Sequence, residues 1–502
     1  MDVVHGLLQG FQVALSVNNL VMCVVGVVLG TVICVLPGLG PPATIAMLLP
    51  LTMRLEPTGA MIMLAGIYYG AKYGGSTTSI LLNVPGETSS VVTCIDGYQM
   101  ARQGRAGPAL GMAAIASFIA GTFGVVALML VAPPLAQVSL AFSAPEYFAL
   151  MVLGLTMVVL LAGDSLVKAL LAMLVGLWIA GMGSDLFSAT SRFTFGQVEL
   201  LGGIDFIIVA IGLFAVGEVL GNMEPDEPPT MVPVPKGLRN LMPTWQDMKD
   251  CRFAFVNGSL VGFLIGVLPG AGSTIASFMS YGIEKAVSKT PERFGKGAIE
   301  GVAAPEGSNN AETGGALVPL LTLGIPGSGT TAILLAALIL WGFKPGPLFI
   351  QDSPQLFWGL VASMYIGNVL LLVLNLPLVA VFAQLLRIPS FAMNPLILGV
   401  SIVGVYTASS SMFQLGLLTL FGLLGYAMRK LEFPTAPMVL GLVLGDNMEK
   451  ALRESLMMSQ GDLSILVRPI PAVLLAFAAV LFLVPLFKKL NAFRVQVLER
   501  ET

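Results

Sequence analysis

Charge is scarce in this chain: Lys, Arg, Asp and Glu together make up 11% of its 502 residues, against roughly 25% in an ordinary soluble domain. With 56% hydrophobic residues and a mean hydropathy of +0.88, that shortage excludes a soluble globular fold. Histidine is almost missing. The one copy, His5, lies near the terminus with no constellation around it, and reads as a solvated or interfacial residue. The four cysteines, Cys23, Cys34, Cys94 and Cys251, fit no metal-ligand spacing and no disulfide framework. Three of them lie in or beside apolar runs and read as buried apolar residues, so no transition-metal site is expected. HExxH, GxSxG and GxxxxGK[ST] are all lacking, which leaves an intramembrane metalloprotease and an ATP-driven engine without support. No enzyme and no cofactor is expected, apart from a coupling Na+ or H+. A net charge of −3 with scattered basic residues argues against nucleic acid as a partner.

What the chain does have is apolar runs long enough to cross a hydrocarbon core of about 30 Å as helices. Leu110 to Pro133, Phe148 to Gly163, Leu166 to Gly181, Phe206 to Leu220, Leu356 to Val379, Leu415 to Met428 and Pro471 to Phe487 are the clearest. They lack the polar alternation of a transmembrane β-barrel. The expected fold is therefore an all-α integral membrane protein, a polytopic helical bundle in the lipid bilayer. Met1 to Gln12 carries no basic residue and no small-residue cleavage site after its apolar run, so it does not read as a cleaved signal peptide. Basic residues concentrate at Lys285, Lys289, Arg293 and Lys296, at Arg102 and Arg105, and in the tail at Lys488, Lys489, Arg494 and Arg500. Such clusters favour the cytoplasmic side, where the tail is placed.

The chain repeats unusual words in the same order. Val35-Leu36-Pro37-Gly38-Leu39-Gly40 returns as Val267-Leu268-Pro269-Gly270-Ala271-Gly272, Gly74-Gly75 as Gly314-Gly315, and Val84-Pro85-Gly86 as Ile325-Pro326-Gly327. A third block, with Gly111, Ser117 and Gly121, resembles Gly359, Ser363 and Gly367. This divides the chain into a first membrane repeat, 1–221, a polar linker, 222–252, and a second membrane repeat, 253–502. Paired repeats, expected here to be inverted, are a mark of secondary transporters whose site lies at the repeat interface near the midplane. The alternative is a duplicated packing pattern without transport.

Gly and Pro inside apolar segments free backbone groups that cannot face lipid. In this chain they accompany hydroxyls and amides in Tyr73 to Ser79, Asn83 to Ser90, Ser308 to Gly315 and Pro326 to Thr331. The expectation is four broken or re-entrant helices whose free N–H groups suit a carboxylate, with freed carbonyls and hydroxyls suiting a cation. Lys72, Gly74, Gly75, Ser76, Thr77, Thr78, Asn83, Pro85, Gly86, Pro326, Gly327, Ser328 and Thr330 are thereby candidates for a small organic anion. Pro37, Gly38, Gly40, Pro269, Gly270, Gly272, Ser308, Asn309, Asn310, Glu312 and Thr313 are candidates for a coupling ion such as Na+. Lys72 and Glu312 hold equivalent places in the two halves, which suggests that Lys72 neutralises the anion while Glu312 serves the cation or pairs with Lys72. Glu87, Asp96, Glu300 and Glu306 are equally readable as proton carriers and as loop residues. The plain alternative for any single Gly or Ser is close helix packing.

These words resemble the large membrane subunit, of the TctA type, of the tripartite tricarboxylate transporter family. The resemblance covers nearly the whole chain. It is carried by Leu36 to Pro42, Tyr69 to Glu87, and Glu300 to Thr331 with its Gly324-Ile325-Pro326-Gly327-Ser328-Gly329 core. It implies a permease of the bacterial inner membrane with an elevator-like motion. It also implies a small four-helix membrane subunit and a periplasmic binding protein as partners, and citrate, other di- or tricarboxylates or aromatic acids as substrates. The driving force it implies is a Na+ or H+ gradient. A passive anion channel or a membrane scaffold is the rival reading.

Overall fold

The computed structural model describes residues 3–35, 40–161, 165–185, 187–188, 190–221, 232, 237–270, 272–385 and 390–483. The first half contributes α1 (Val3–Ala14), α2 (Val17–Val35), α3 (Pro41–Thr52), α4 (Pro57–Leu82), α5 (Val91–Met100), α6 (Ala106–Ser139), α7 (Ala144–Leu161), α8 (Leu166–Ala180), α9 (Phe206–Ala210) and α10 (Gly217–Gly221). Then follow α11 (Leu238–Leu241), α12 (Trp245–Asp250), α13 (Arg252–Val267), α14 (Gly272–Val287), α15 (Glu300–Leu323), α16 (Gly329–Leu340) and α17 (Phe349–Asp352). The series closes with α18 (Pro354–Asn375), α19 (Val379–Leu385), α20 (Ser390–Ser409), α21 (Met412–Lys430) and α22 (Thr435–Met458). Among the described residues the only sheet is a two-stranded hairpin, β1 (Gly183–Ser184) against β2 (Ser191–Arg192).

Among the described residues four helical stretches are long and apolar enough to span a bilayer, Val17–Val35, Thr88–Ser139, Pro354–Asn375 and Met412–Lys430. Leu238–Asp250 and Arg252–Val267 are apolar enough only when taken together, and are bent by 87° at the break between them. Of the apolar runs of the sequence, those beginning at Leu110, Leu356 and Leu415 fall in these spans, and those beginning at Phe148, Leu166, Phe206 and Pro471 fall in shorter apolar helices. The chain is an all-α membrane protein of several passes.

The chain divides into two compact units, Met1–Ser139 with Asp205–Thr435, and Leu140–Ile204 with Ala436–Thr502. In the first unit α4 and α15 are 26 and 24 residues long, and every residue from Gly59 to Leu82 and from Glu300 to Thr322 is buried. Protein rather than lipid surrounds them, which is what lets them carry charges and hydroxyls at membrane depth. Small residues bring the neighbouring backbones close. A Cβ on Gly30 would meet the Ile67 carbonyl oxygen at 2.5 Å, fixing α2 on α4, and one on Gly262 would meet that of Ser308 at 2.2 Å, fixing α13 on α15.

The helix ends have local causes. Glu56 caps α4 by accepting from the Thr58 and Gly59 amides, at 3.2 and 3.0 Å, with Pro57 at the first helical position. α4 stops at Asn83 and α15 at Gly324, both left-handed, with φ of 58° and 69°. Ser328 and Thr331 form a reciprocal cap that starts α16.

The polar linker is ordered where it is described. Thr244 and Asp247 cap α12, Asp247 pairs with Arg105 at 2.6 Å, and the Leu241 carbonyl sits against Gly111 of α6. Residues 222–231 and 233–236 of the linker lie outside the described residues.

In the second unit α8 packs on α22 through Gly176, whose Cβ would lie 1.9 Å from the Met438 carbonyl oxygen. Asp185, after β1, accepts from the Phe187 and Ser188 amides and pairs with Arg453 at 2.8 Å and Arg192 at 3.5 Å. Glu449 of α22 binds the same two arginines. This network ties the hairpin to α22 beside a cavity of about 360 Å³. Both arginines pair with both carboxylates, which gives the network a structural role.

Candidate functional site

Polar chemistry in the first unit centres on α4 and α15. Lys72 is buried, 2% exposed. Its Nζ lies 3.0 Å from Glu87 Oε2 and donates to Ser273 Oγ at 2.7 Å, with the Tyr68 ring centroid 5.5 Å away. Glu87 comes from the break after α4, where Ser89 donates to its other oxygen. Ser273 comes from the first turn of α14, whose next residue, Thr274, donates to Thr88 at 2.9 Å. The start of a second-half helix thus meets the break of the first half at Lys72. One helical turn earlier on α4, the Tyr68 hydroxyl donates to Glu312 Oε2 at 3.0 Å. One turn beyond Lys72, Ser76 reaches Glu306 of α15 at 2.5 Å, and Thr93 of α5 donates to the same carboxylate.

Three buried carboxylates therefore line α4, Glu87 on the Lys72 amine, Glu312 on Tyr68 one turn before it and Glu306 on Ser76 one turn beyond. An unpaired ionised side chain at the bilayer centre costs about 3 kcal/mol or more. Such a cluster is therefore the candidate site of this unit.

The candidates of the sequence fare unevenly. Tyr73 to Ser79 and Ser308 to Gly315 were expected as breaks, yet both lie inside unbroken helices. The reason is steric. A Cβ on Gly74 would lie 2.4 Å from the Thr31 carbonyl oxygen and one on Gly314 2.5 Å from the Gly124 backbone, so these glycines admit neighbouring helices. Several hydroxyls bond back to their own helix, Ser76 to the Lys72 carbonyl and Thr313 to that of Asn310. Thr78 caps the end of α2 at the Val35 carbonyl.

Among the described residues the helices break instead at Asn83 to Glu87, at Pro269 and Gly270, and at Gly324 to Ser328. Gly86 fits under the Cys34 carbonyl and against Gly75. The Gly270 amide donates to the Gly327 carbonyl at 2.7 Å, which joins the two breaks of the second half. Asn83 is exposed and serves as a helix terminator. Pro326, Gly327 and Thr330 are buried at the start of α16, and Gly40 starts α3. Pro37 and Gly38 lie outside the described residues. Asn310 donates to the Asn309 carbonyl oxygen at 2.7 Å and to the Glu306 backbone carbonyl at 3.0 Å, and the Ser308 hydroxyl is buried with no hydrogen-bond partner.

Lys72 pairs with Glu87 and not with Glu312. Among the four acids readable as loop residues, Glu306 and Glu87 belong to this centre. Asp96 instead accepts the amides of Gly295, Gly297 and Ala298 and the Tyr281 hydroxyl, and Glu300 lies 3.5 Å from Arg293. Ser273, Tyr68 and Thr93 were not anticipated. Only the adjacency of their helices in space reveals them, although Ser273 stands in the repeated Pro-Gly word.

Helices long and apolar enough to span and helices buried whole define a multi-pass membrane protein. The comparison with known families agrees. Residues 20–440 match the tripartite tricarboxylate transporter TctA family, and the chain belongs to it. A protein of Agrobacterium vitis, described as an uncharacterized 52.8 kDa protein in the TAR-I ttuC' 3' region, is 47% identical over 502 residues, 100% of both chains. An uncharacterized protein in the TAR-II ttuC' 3' region of the same organism is 44% identical over 237 residues, 47% of this chain and 98% of that protein. No solved structure gives a significant match.

Proposed function

We propose that this chain is the large permease subunit of a binding-protein-dependent secondary transporter of the bacterial inner membrane. It imports di- or tricarboxylates or related organic anions and is driven by a Na+ or H+ gradient. Its partners in this reading are a small four-helix membrane subunit and a periplasmic substrate-binding protein. The observation that carries the reading is Lys72: a buried cation, reached by the first turn of α14, in a membrane protein of a tripartite carboxylate transporter family. Substrate carboxylate would displace Glu87 from Lys72 and take up the amides and hydroxyls at the breaks, while Glu312 and its neighbours would serve the coupling ion.

The two-repeat reading, 1–221 and 253–502 about the linker 222–252, belongs to the same proposal. Its supports are the matching contacts of Gly30 and Gly262, and the left-handed ends of α4 and α15 at equivalent places. Each compact unit also draws on both halves of the chain, as inverted repeats and an elevator-like motion require. The basic clusters at Arg102 and Arg105 and at Lys285 to Lys296 meet at one end of the first unit, where Gln103 donates to the Lys296 carbonyl at 2.8 Å. That end is assigned to the cytoplasm.

The test is uptake of labelled citrate, with a panel of competing carboxylates, into right-side-out vesicles holding this chain and its small subunit. Concentrative uptake that needs both an ion gradient and the binding protein is expected. Equilibration without concentration would favour the channel reading, and no uptake by a folded complex would favour the scaffold.

A further inference from the structure

Glu306 sits in the middle of α15 with no exposed surface. Its carboxylate touches three side chains: Ser76 Oγ at 2.5 Å, Asn309 Nδ2 at 3.4 Å, and the Thr93 hydroxyl. None is charged. Among the described residues no Lys, Arg or His nitrogen lies within ion-pair distance of it, because Lys72 is held by Glu87 and Ser273. With Glu312 also unpaired by any cation, the centre falls short of positive charge by two when all three of its carboxylates are ionised. Bound cations have to supply the difference.

The hydrogen bonds around Ser76 admit a proton as one of them. Ser76 Oγ has two oxygen neighbours, the Lys72 backbone carbonyl at 3.1 Å and Glu306 Oε2 at 2.5 Å. A hydroxyl has one hydrogen to give. If that hydrogen goes to the Lys72 carbonyl, the usual bond of a helical serine, the contact to Glu306 needs a hydrogen on the carboxyl. A protonated Glu306 donates to Ser76, which donates to the Lys72 carbonyl, and all three oxygens are satisfied. Sodium fits this arrangement poorly. The Asn309 side chain turns its N–H to the carboxylate while its oxygen accepts from Asn310, and the Glu306 carbonyl already accepts from Asn310 and Ser117.

We infer that Glu306, with Ser76, Thr93 and Asn309 around it, is a proton-binding site of this protein. The proton joins Oε2 and leaves from it, and no other bond changes. The titratable groups facing it are Glu87 from the break, Tyr73 from α4 and Cys94 from α5. α6 and α14 present hydroxyls only, Ser117 and Ser277, to the backbone carbonyls of Glu306 and Pro305. The inference deepens the transport reading, and its coupling half rests on that reading: the proton on Glu306 accompanies the anion on Lys72, one turn away on α4.

The experiment is infrared difference spectroscopy on the purified full chain across a pH series, without substrate. The wild type is expected to show the carbonyl band of a neutral carboxylic acid that shifts in D2O and is lost at high pH. Glu306→Gln is expected to lose that band, and Glu312→Gln to keep it. Should Glu306→Gln fail to fold, Ser76→Ala serves instead and is expected to move the band to higher frequency, because the acid loses its acceptor. A band unchanged in Glu306→Gln, or in a folded Ser76→Ala, overturns the inference. So does loss of the band when NaCl replaces KCl at fixed pH, which would assign the site to sodium. Absence of uptake by the wild type would sink the transport reading while leaving the band assignment intact.

Discussion

Lys72→Met removes the one amine of the buried centre and leaves Glu87, whose side chain is 3% exposed, without its counter-charge. Breaking a fully buried pair from one side costs about 3–5 kcal/mol, because the survivor remains desolvated and uncompensated. Glu87→Gln strands Lys72 in the same way and is expected to cost a similar amount. Removing both charges is different: well-packed neutral residues in place of a buried pair are often neutral in stability. The double variant is therefore expected within about 1–2 kcal/mol of the wild type, with an interaction energy larger than either residual. The assay is a double-mutant cycle on SDS-driven unfolding of the purified chain in mixed micelles. It is followed by tryptophan fluorescence, to which the buried Trp358 of α18 contributes. Strictly additive single effects would refute the argument, since they would mean that the two charges do not compensate each other.

The glycine contacts make an opposed pair of predictions. Gly262→Ala drives a Cβ to 2.2 Å from the Ser308 carbonyl oxygen and is expected to lower stability by about 1–3 kcal/mol, whereas Gly282→Ala, with nothing within 4 Å, is expected to raise it by about 0.5–1 kcal/mol; thermal unfolding of both reads the difference. Asp96→Ala deprives the Gly295, Gly297 and Ala298 amides of their acceptor, so hydrogen exchange at those three is expected to accelerate while exchange in the middle of α15 does not. In the second unit, the Ser188 and Phe187 amides, then Arg453, hold the Asp185 carboxyl well below its usual 3.8. A depressed carboxylate contributes stability that is present above that usual value and lost as pH falls below it. Resistance of the 183–192 hairpin to proteolysis is thus expected to decline on acidification below about 4 in the wild type, and to lose that decline in Asp185→Asn.

The membrane class and most spans were legible from the apolar runs of the sequence, because a helix that crosses a hydrocarbon core, such as α18 or α21, must be largely apolar along its length. The two central helices were harder to read. Gly74-Gly75-Ser76-Thr77-Thr78-Ser79 has the composition of a loop, yet α4 runs through it without a break. Composition reports the surroundings of a segment, and here the surroundings are other helices. The left-handed Asn83 and Gly324 were a better signal for breaks than the glycine pairs, since each stands just before a Pro-Gly word. Lys72 was identified as a centre from its cost alone. Its partner was not, because Glu87 and Glu312 both lie within reach of the argument from sequence, and only the fold of the chain after Asn83 selects between them. Glu306 was named among four acids readable either as proton carriers or as loop residues, and its partners, Ser76 and Thr93, could not be named because they come from α4 and α5, far away in sequence.

The most direct test of the central claim, that the Lys72 centre holds the transported anion, compares the wild type with the Lys72→Met, Glu87→Gln double variant. Both are inserted to equal levels in vesicles with the small subunit and the binding protein, and uptake of the labelled carboxylate is measured under an inward ion gradient. The account predicts that the wild type concentrates the anion and that the folded double variant falls to background. Equal uptake by the two would contradict it.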